Sequence, residues 1–119
     1  ELVRAVDECI AYQVTDIVKL MEEESGFPIL EVRADGGASR GEFLMHFQSD
    51  LLNVPVYAAE NEEISGTGAG LAAGFGLGFY DSSVFEGRAY REYTPEMDEE
   101  CRRRKYEGWK DAVRRVLLK

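Results

Sequence analysis

Two short runs rich in branched apolar residues, 29–34 and 54–58, are each flanked by stretches of helical period. This alternation constrains the fold more than any other feature of the chain. Strands that alternate with helices imply a parallel sheet. Ahead of the first run, Val3, Val6, Ile10, Val14, Ile17 and Met21 recur at three- and four-residue steps, one apolar face of a helix over 1–25. Ser25-Gly26 and then Pro28 stop it, because glycine takes the left-handed cap and proline forbids continuation. Ser39 and Glu42 have the spacing of a capping box, so a second helix is expected over 40–52, with Asn53 as its left-handed exit. A third is expected over 64–78, capped by Asn61 or Ser65, with Glu62 and Glu63 at its positive end. Residues 81–93 have no firm period; Val84-Phe85 and 89–93 read as extended. Thr94-Pro95-Glu96 opens a last helix over 96–118, which Tyr106 and Trp109 hold down.

The resulting order is α-β-α-β-α plus a tail helix. Two parallel strands cannot sustain a sheet alone, and the chain starts without Met inside a helical pattern. The expectation is a fragment of a longer protein. A strand over 29–34 would then lack a neighbour on one side, and a bare apolar edge invites cover or self-association.

The formal net charge of −9 argues against a nucleic-acid or anionic-membrane binder, since both need clustered Lys and Arg. The one basic cluster, Arg102-Arg103-Arg104-Lys105, follows Glu99 and Glu100 and reads as a solvated helix face. Cys9, read as core-side, and Cys101, read as a surface residue, form no disulfide or metal pattern. That fits a reducing, cytoplasmic setting. Residues 64–80 carry no charge, but six of these 17 residues are glycine, which points to a buried segment rather than a spanning helix. Gly66, Gly70, Gly74 and Gly78 lie four apart, a helical face without Cβ atoms that lets another backbone come close.

The chemistry, if any, concentrates in ADGGASRGEF, residues 34–43. It stands where a strand ends and a helix begins, the place where open α/β sheets bind ligands. Gly36 and Gly37 let a ligand approach the backbone, and free N–H groups of the next turn can face an anion. A tight corner explains the same glycines equally well. It is neither the GxGxxG of dinucleotide domains nor a P-loop. Asp35 has no second carboxylate beside it and suits a turn. His46 has no evident partner and suits a structural place. Arg40 is a planar cation that either stacks on a base or is solvated.

The run DGGASRGEFLMHFQSDLLNVPV, 35–56, resembles the C-terminal signature of FGGY carbohydrate kinases. RAVDECIAYQVTDIV (4–18), GAGLAAGFGLGFY (68–80), REYTP (91–95) and YEGWKDAVRR (106–115) extend the similarity, and the tail resembles the glycerol kinases of that family. The resemblance implies the second half of a ribonuclease-H-like domain, the actin and sugar-kinase ATPase architecture, with 1–119 forming the C-terminal portion of a longer chain. It implies transfer of the γ-phosphoryl group of Mg2+-ATP to a polyol or sugar, with Gly36, Gly37, Ala38 and Gly41 at the nucleotide. Gly41 stands where the family usually has Asn, Ser65-Gly66-Thr67-Gly68-Ala69 where it usually has Thr-Ala-Leu-Gly-Ala, and His46 where it usually has Gln. The family's catalytic Asp and its polyol site belong to regions outside these residues, so the resemblance implies no catalytic residue and no metal ligand here, and an inactive fragment. The rival classes are an actin- or chaperone-type ATP switch and a plain interaction domain that docks through the glycine face.

Overall fold

A computed structural model describes residues 1–60, 64–85 and 89–117. Helix α1 (Leu2–Ser25) leads to strand β1 (Val32–Ala34), a 3-10 turn (Gly37–Arg40), helix α2 (Glu42–Leu52) and strand β2 (Val56–Ala59). Helix α3 (Ile64–Gly76), a second 3-10 turn (Ser82–Phe85), strand β3 (Tyr90–Tyr93) and helix α4 (Glu99–Leu117) complete the described residues. The helix stops are those expected. Gly26 caps α1 at φ 72°, its N–H donating to the Glu22 carbonyl, and Asn53 ends α2 at φ 58°.

The sheet has the order β1-β2-β3. β1 and β2 are parallel, with Val32 opposite Val56 and Ala34 opposite Ala58. β3 is antiparallel to β2, with Tyr93 opposite Val56 and Arg91 opposite Ala58, so the expected all-parallel sheet is mixed and takes its third strand from this chain. In β3 only Tyr93 is buried, and Arg91 and Glu92 are exposed. A polar edge strand of this kind has almost no apolar period to detect. Val84-Phe85, expected to be extended, belongs to the 3-10 turn.

Two expected helix starts differ. The N-cap of α2 is Gly41, without a side-chain cap, and the Ser39–Glu42 capping box does not form. Ser39 is wound into the 3-10 turn, where its hydroxyl donates backward to the Gly36 carbonyl at 2.8 Å. α4 starts at Glu99, and Asp98 Oδ1 accepts the Cys101 N–H at 2.9 Å in place of the expected Thr94 cap. The segment before it is tied to α2 instead: Asp50 Oδ1 accepts the N–H groups of Glu96 (2.7 Å) and Met97 (2.9 Å). The caps expected for α3 at Asn61, Glu62 and Glu63 lie outside the described residues, and Ser65 is inside the helix. Gly78 follows α3 at φ 75°. Of Gly70, Gly74 and Gly78, only Gly74 has the chain itself against it: a Cβ there would run into the ring of Tyr80.

The largest departure concerns α1. Its periodic stripe points outward, with Val3 at 75%, Ile17 at 58% and Met21 at 55% exposure, while Ala11, Tyr12 and Thr15 are buried. Ala11 has no bulk to hold α2 away, and Gln48 of α2 donates to the Ala11 carbonyl (3.3 Å) and to Thr15 Oγ1 (3.2 Å). Tyr12 sits edge-on to Phe47 and stacks on Trp109 at 5.3 Å between ring centres. Periodicity reports that a face avoids water; it does not report against what. The Cα radius of gyration is 17.7 Å, against about 13–14 Å for a compact domain of this length.

Tyr106 and Trp109 hold α4 down as expected, through a carboxylate that the sequence pattern did not single out. Asp16 accepts from Tyr106 Oη at 2.6 Å and from Trp109 Nε1 at 2.8 Å. Lys19 lies over the Tyr106 ring at 3.8 Å. Burial first, and Asp16 second, push the Tyr106 hydroxyl well above its ordinary pKa. The basic cluster is only half solvated: Arg103 and Arg104 are exposed, whereas Arg102 donates to the Met97 carbonyl and Lys105 lies over the Phe47 ring. Cys101 is half-buried rather than at the surface, as is Cys9.

Candidate functional site

The parallel pair β1-β2 directs both of its carboxyl ends to the same side, and the stretch after β1 turns there. Gly36 adopts φ 84° and ψ −179°, a region essentially closed to residues with a Cβ. This swing presents the Gly36 carbonyl to both the N–H (3.2 Å) and the hydroxyl (2.8 Å) of Ser39. Ser39 is thereby buried at 4% exposure, and Gly41 N–H closes the turn on the Ala38 carbonyl at 3.1 Å. Gly36, Gly37, Ala38 and Gly41, the residues singled out from the sequence, are all exposed around this turn. A Cβ added at Gly36 or Gly37 would meet nothing within 4 Å, so open space stands in front of the backbone. At Gly41 it would touch Ala38 O and Leu44 Cβ, so that position faces its own chain.

A cavity of 490 Å³ lies beside the turn, lined by Ser39, Arg40, Ala58, Ala59, Glu60, Arg91 and Tyr93. Arg40 comes from the turn and Arg91 from β3. Arg91 Nη1 donates to Glu42 Oε1 at 3.3 Å. Its guanidinium is held above its ordinary pKa by a hydrogen bond with the Tyr93 side chain first, then by Glu42 and Glu60. His46 is exposed and stands edge-on to the Tyr93 ring at 4.9 Å, a packing contact. Asp35 is exposed at the strand end. Sequence reasoning named Arg40 but missed Arg91, Glu60 and Tyr93. Spacing two apart in Tyr90-Arg91-Glu92-Tyr93 puts Arg91 and Tyr93 on one face once that stretch is taken as a strand.

Among the described residues, no three His, Cys, Asp or Glu side chains come together to hold a metal ion. No helix among them is long and apolar enough to cross a membrane. The turn offers exposed backbone and the neighbouring cavity offers arginines, and each can position or neutralise an anion.

The family profile for the C-terminal domain of the FGGY family of carbohydrate kinases matches residues 1–77. A glycerol kinase of Thermotoga maritima is 45% identical over 119 residues, which cover 98% of this chain and 24% of that protein. The crystal structure of Plasmodium falciparum glycerol kinase with ADP aligns with a TM-score of 0.80 at 31% identity, over 98% of this chain and 24% of that one. The xylulose kinase of Rhodospirillum rubrum aligns with a TM-score of 0.71 at 24% identity over the same shares, a likeness of fold. The chain thus spans about a quarter of the length of these relatives. Together they establish the sugar-kinase ATPase fold. Neither the actin- or chaperone-type switch nor the plain interaction domain is favoured.

Proposed function

The chain belongs to the FGGY family of carbohydrate kinases, and we propose that it is the C-terminal part of an ATP-dependent polyol kinase, glycerol being the favoured acceptor. In this reading 1–119 supply one wall of the nucleotide cleft. The observation that carries it is the open backbone at Gly36 and Gly37, past the carboxyl end of β1, in a chain that aligns with a glycerol kinase crystallised with ADP. Gly36, Gly37 and Ala38 would meet the nucleotide through main-chain groups. Gly41 has no side chain to add to them.

Phosphoryl transfer works by positioning and by neutralising charge. The residues of this chain contribute to positioning, because the Ser39-braced turn fixes the direction of its N–H groups. The described residues do not fit a Mg2+ ion, so the metal belongs with the nucleotide's phosphates and with residues elsewhere in the parent, as does the catalytic base. The chain by itself is then inactive. The outward stripe of α1, with Phe27 and Leu30 beside it at 75% exposure each, and the free edge of β1 are the surfaces that the rest of the kinase covers. In isolation the same edge favours self-association. The partners of the parent are ATP or ADP and a polyol or sugar, in the cytoplasm, with no part for nucleic acid or membrane.

Calorimetric titration of the 119-residue chain with ADP, beside Gly37→Val, tests this. A Cβ at Gly37 meets no protein atom within 4 Å, so the variant is expected to keep the fold and to fill the ligand's space. ADP is expected to bind the wild type and to bind the variant about tenfold or more weakly. Equal binding by the two, or none by the folded wild type, overturns the reading. Glycerol-dependent ADP release by the chain alone would overturn the claim that it is inactive.

A further inference from the structure

We propose that the 490 Å³ cavity between the 3-10 turn, the end of β2 and strand β3 is a second site, separate from the nucleotide wall, that binds the phosphate group of a small phosphorylated molecule. It goes beyond the nucleotide reading, because neither Gly36, Gly37 nor Gly41 lines it. The volume falls within the usual range for small-molecule sites, and exceeds what a lone phosphate needs.

Three features of the walls select the ligand. The first is the pair of guanidinium groups on two different elements. Arg40 stands on a turn locked by two hydrogen bonds to one carbonyl, and Arg91 on a strand in register with Ala58. Both side chains therefore start from fixed backbone. Planar guanidinium forks match phosphate oxygens two at a time, which an ammonium cannot do. The second is the floor. Ala58 and Ala59 line the cavity with methyl groups alone. Buried Tyr93, at 4% exposure, closes the far side with its ring against His46. The third is the weakness of the carboxylate contact on Arg91. Glu42 reaches Arg91 at 3.3 Å, with both side chains more than half exposed. Exposed pairs of this kind contribute little, so a doubly charged phosphate displaces Glu42 readily. Glu60, the acid among the lining residues, opposes an anion, and an anion that binds must outweigh it.

Inorganic phosphate, a polyol phosphate and a nucleotide share this chemistry, and the test separates them. The 119-residue chain is titrated with inorganic phosphate, glycerol 3-phosphate and ADP, using wild type, Arg40→Gln, Arg91→Gln, Glu60→Gln and Gly37→Val. Circular dichroism confirms that each variant is folded. At least one probe is expected to bind and to weaken about tenfold or more in each arginine variant. The same probe should bind severalfold more tightly to Glu60→Gln and with unchanged affinity to Gly37→Val. Strongest binding by glycerol 3-phosphate identifies a phosphorylated polyol as the occupant; strongest binding by inorganic phosphate identifies free phosphate. Failure of the nucleotide wall appears only in the Gly37→Val arm, so the two claims fall separately. The site is refuted if no probe binds the folded wild type. It is equally refuted if binding ignores both arginines, or if only ADP binds and responds to Gly37→Val alone.

Discussion

Replacing Asp16 with Ala removes the carboxylate that Tyr106 and Trp109 of α4 share on α1. It accepts two bonds across that interface, from Tyr106 Oη at 2.6 Å and from Trp109 Nε1 at 2.8 Å. A hydrogen bond to a charged group contributes about 1.5–3 kcal/mol when well buried. All three residues are only half-buried, and water replaces part of what is lost, so about 1 kcal/mol per bond is the better figure. The variant should lose about 2 kcal/mol in total. At about 2.1 cal/mol/K of unfolding entropy per residue, a chain of this size has about 0.25 kcal/mol/K, and the melting temperature should fall by about 8 °C. Trp109 is the only tryptophan, so its fluorescence during a thermal or urea melt reports on this interface directly. Asp16→Asn keeps one acceptor and should lose about half as much. An Asp16→Ala protein that melts within about 1 °C of the wild type would show that the stack of Trp109 on Tyr12 holds α4 without the carboxylate.

Three further outcomes follow from the same geometry. Gly36→Ala forces a side chain into φ 84° and should cost about 1–3 kcal/mol, whereas Gly37→Ala should change stability by less than about 0.5 kcal/mol; urea midpoints compare them. Asp50→Ala leaves the Glu96 and Met97 N–H groups without their acceptor and should cost about 1–2 kcal/mol by the same melt. The Tyr106 hydroxyl has a pKa raised above 10.0, by burial first and by Asp16 second, so the native state favours its neutral form. Its contribution is complete below about pH 10 and is lost as the pH climbs through the raised value. Tyr106→Phe should flatten that alkaline decline; Lys19, whose pKa is lowered mainly by burial, works in the opposite direction in a window that ends near its ordinary 10.5.

The chain order of helices was legible because each stop is chemically explicit: Gly26 and Asn53 take left-handed conformations that few other residues tolerate. β3 was less legible because an edge strand with Arg91 and Glu92 facing water lacks the apolar alternation that identifies strands. The orientation of α1 was not legible at all. Its strongest apolar signal belongs to a face that this chain leaves open, while Ala11 and Thr15, weak signals by composition, form the contact. Ser39 shows how one local rule yields to another. The hydroxyl that would cap α2 is nearer to the Gly36 carbonyl, and the glycine conformation that puts the carbonyl there has no sequence signature beyond the glycine itself. The turn at residues 36–41 was visible from its glycines. The arginine across from it, Arg91, is 50 residues further along, and only the β2–β3 register brings it close.

The most direct measurement is an amide-resolved NMR titration of the isotope-labelled chain with ADP. The amides of Gly36, Gly37, Ala38 and Gly41 should shift first and saturate together, with those of α4 unmoved. A folded chain whose turn amides stay still at saturating ADP, or whose shifts gather elsewhere, would remove the nucleotide from this turn and with it the function proposed for the chain.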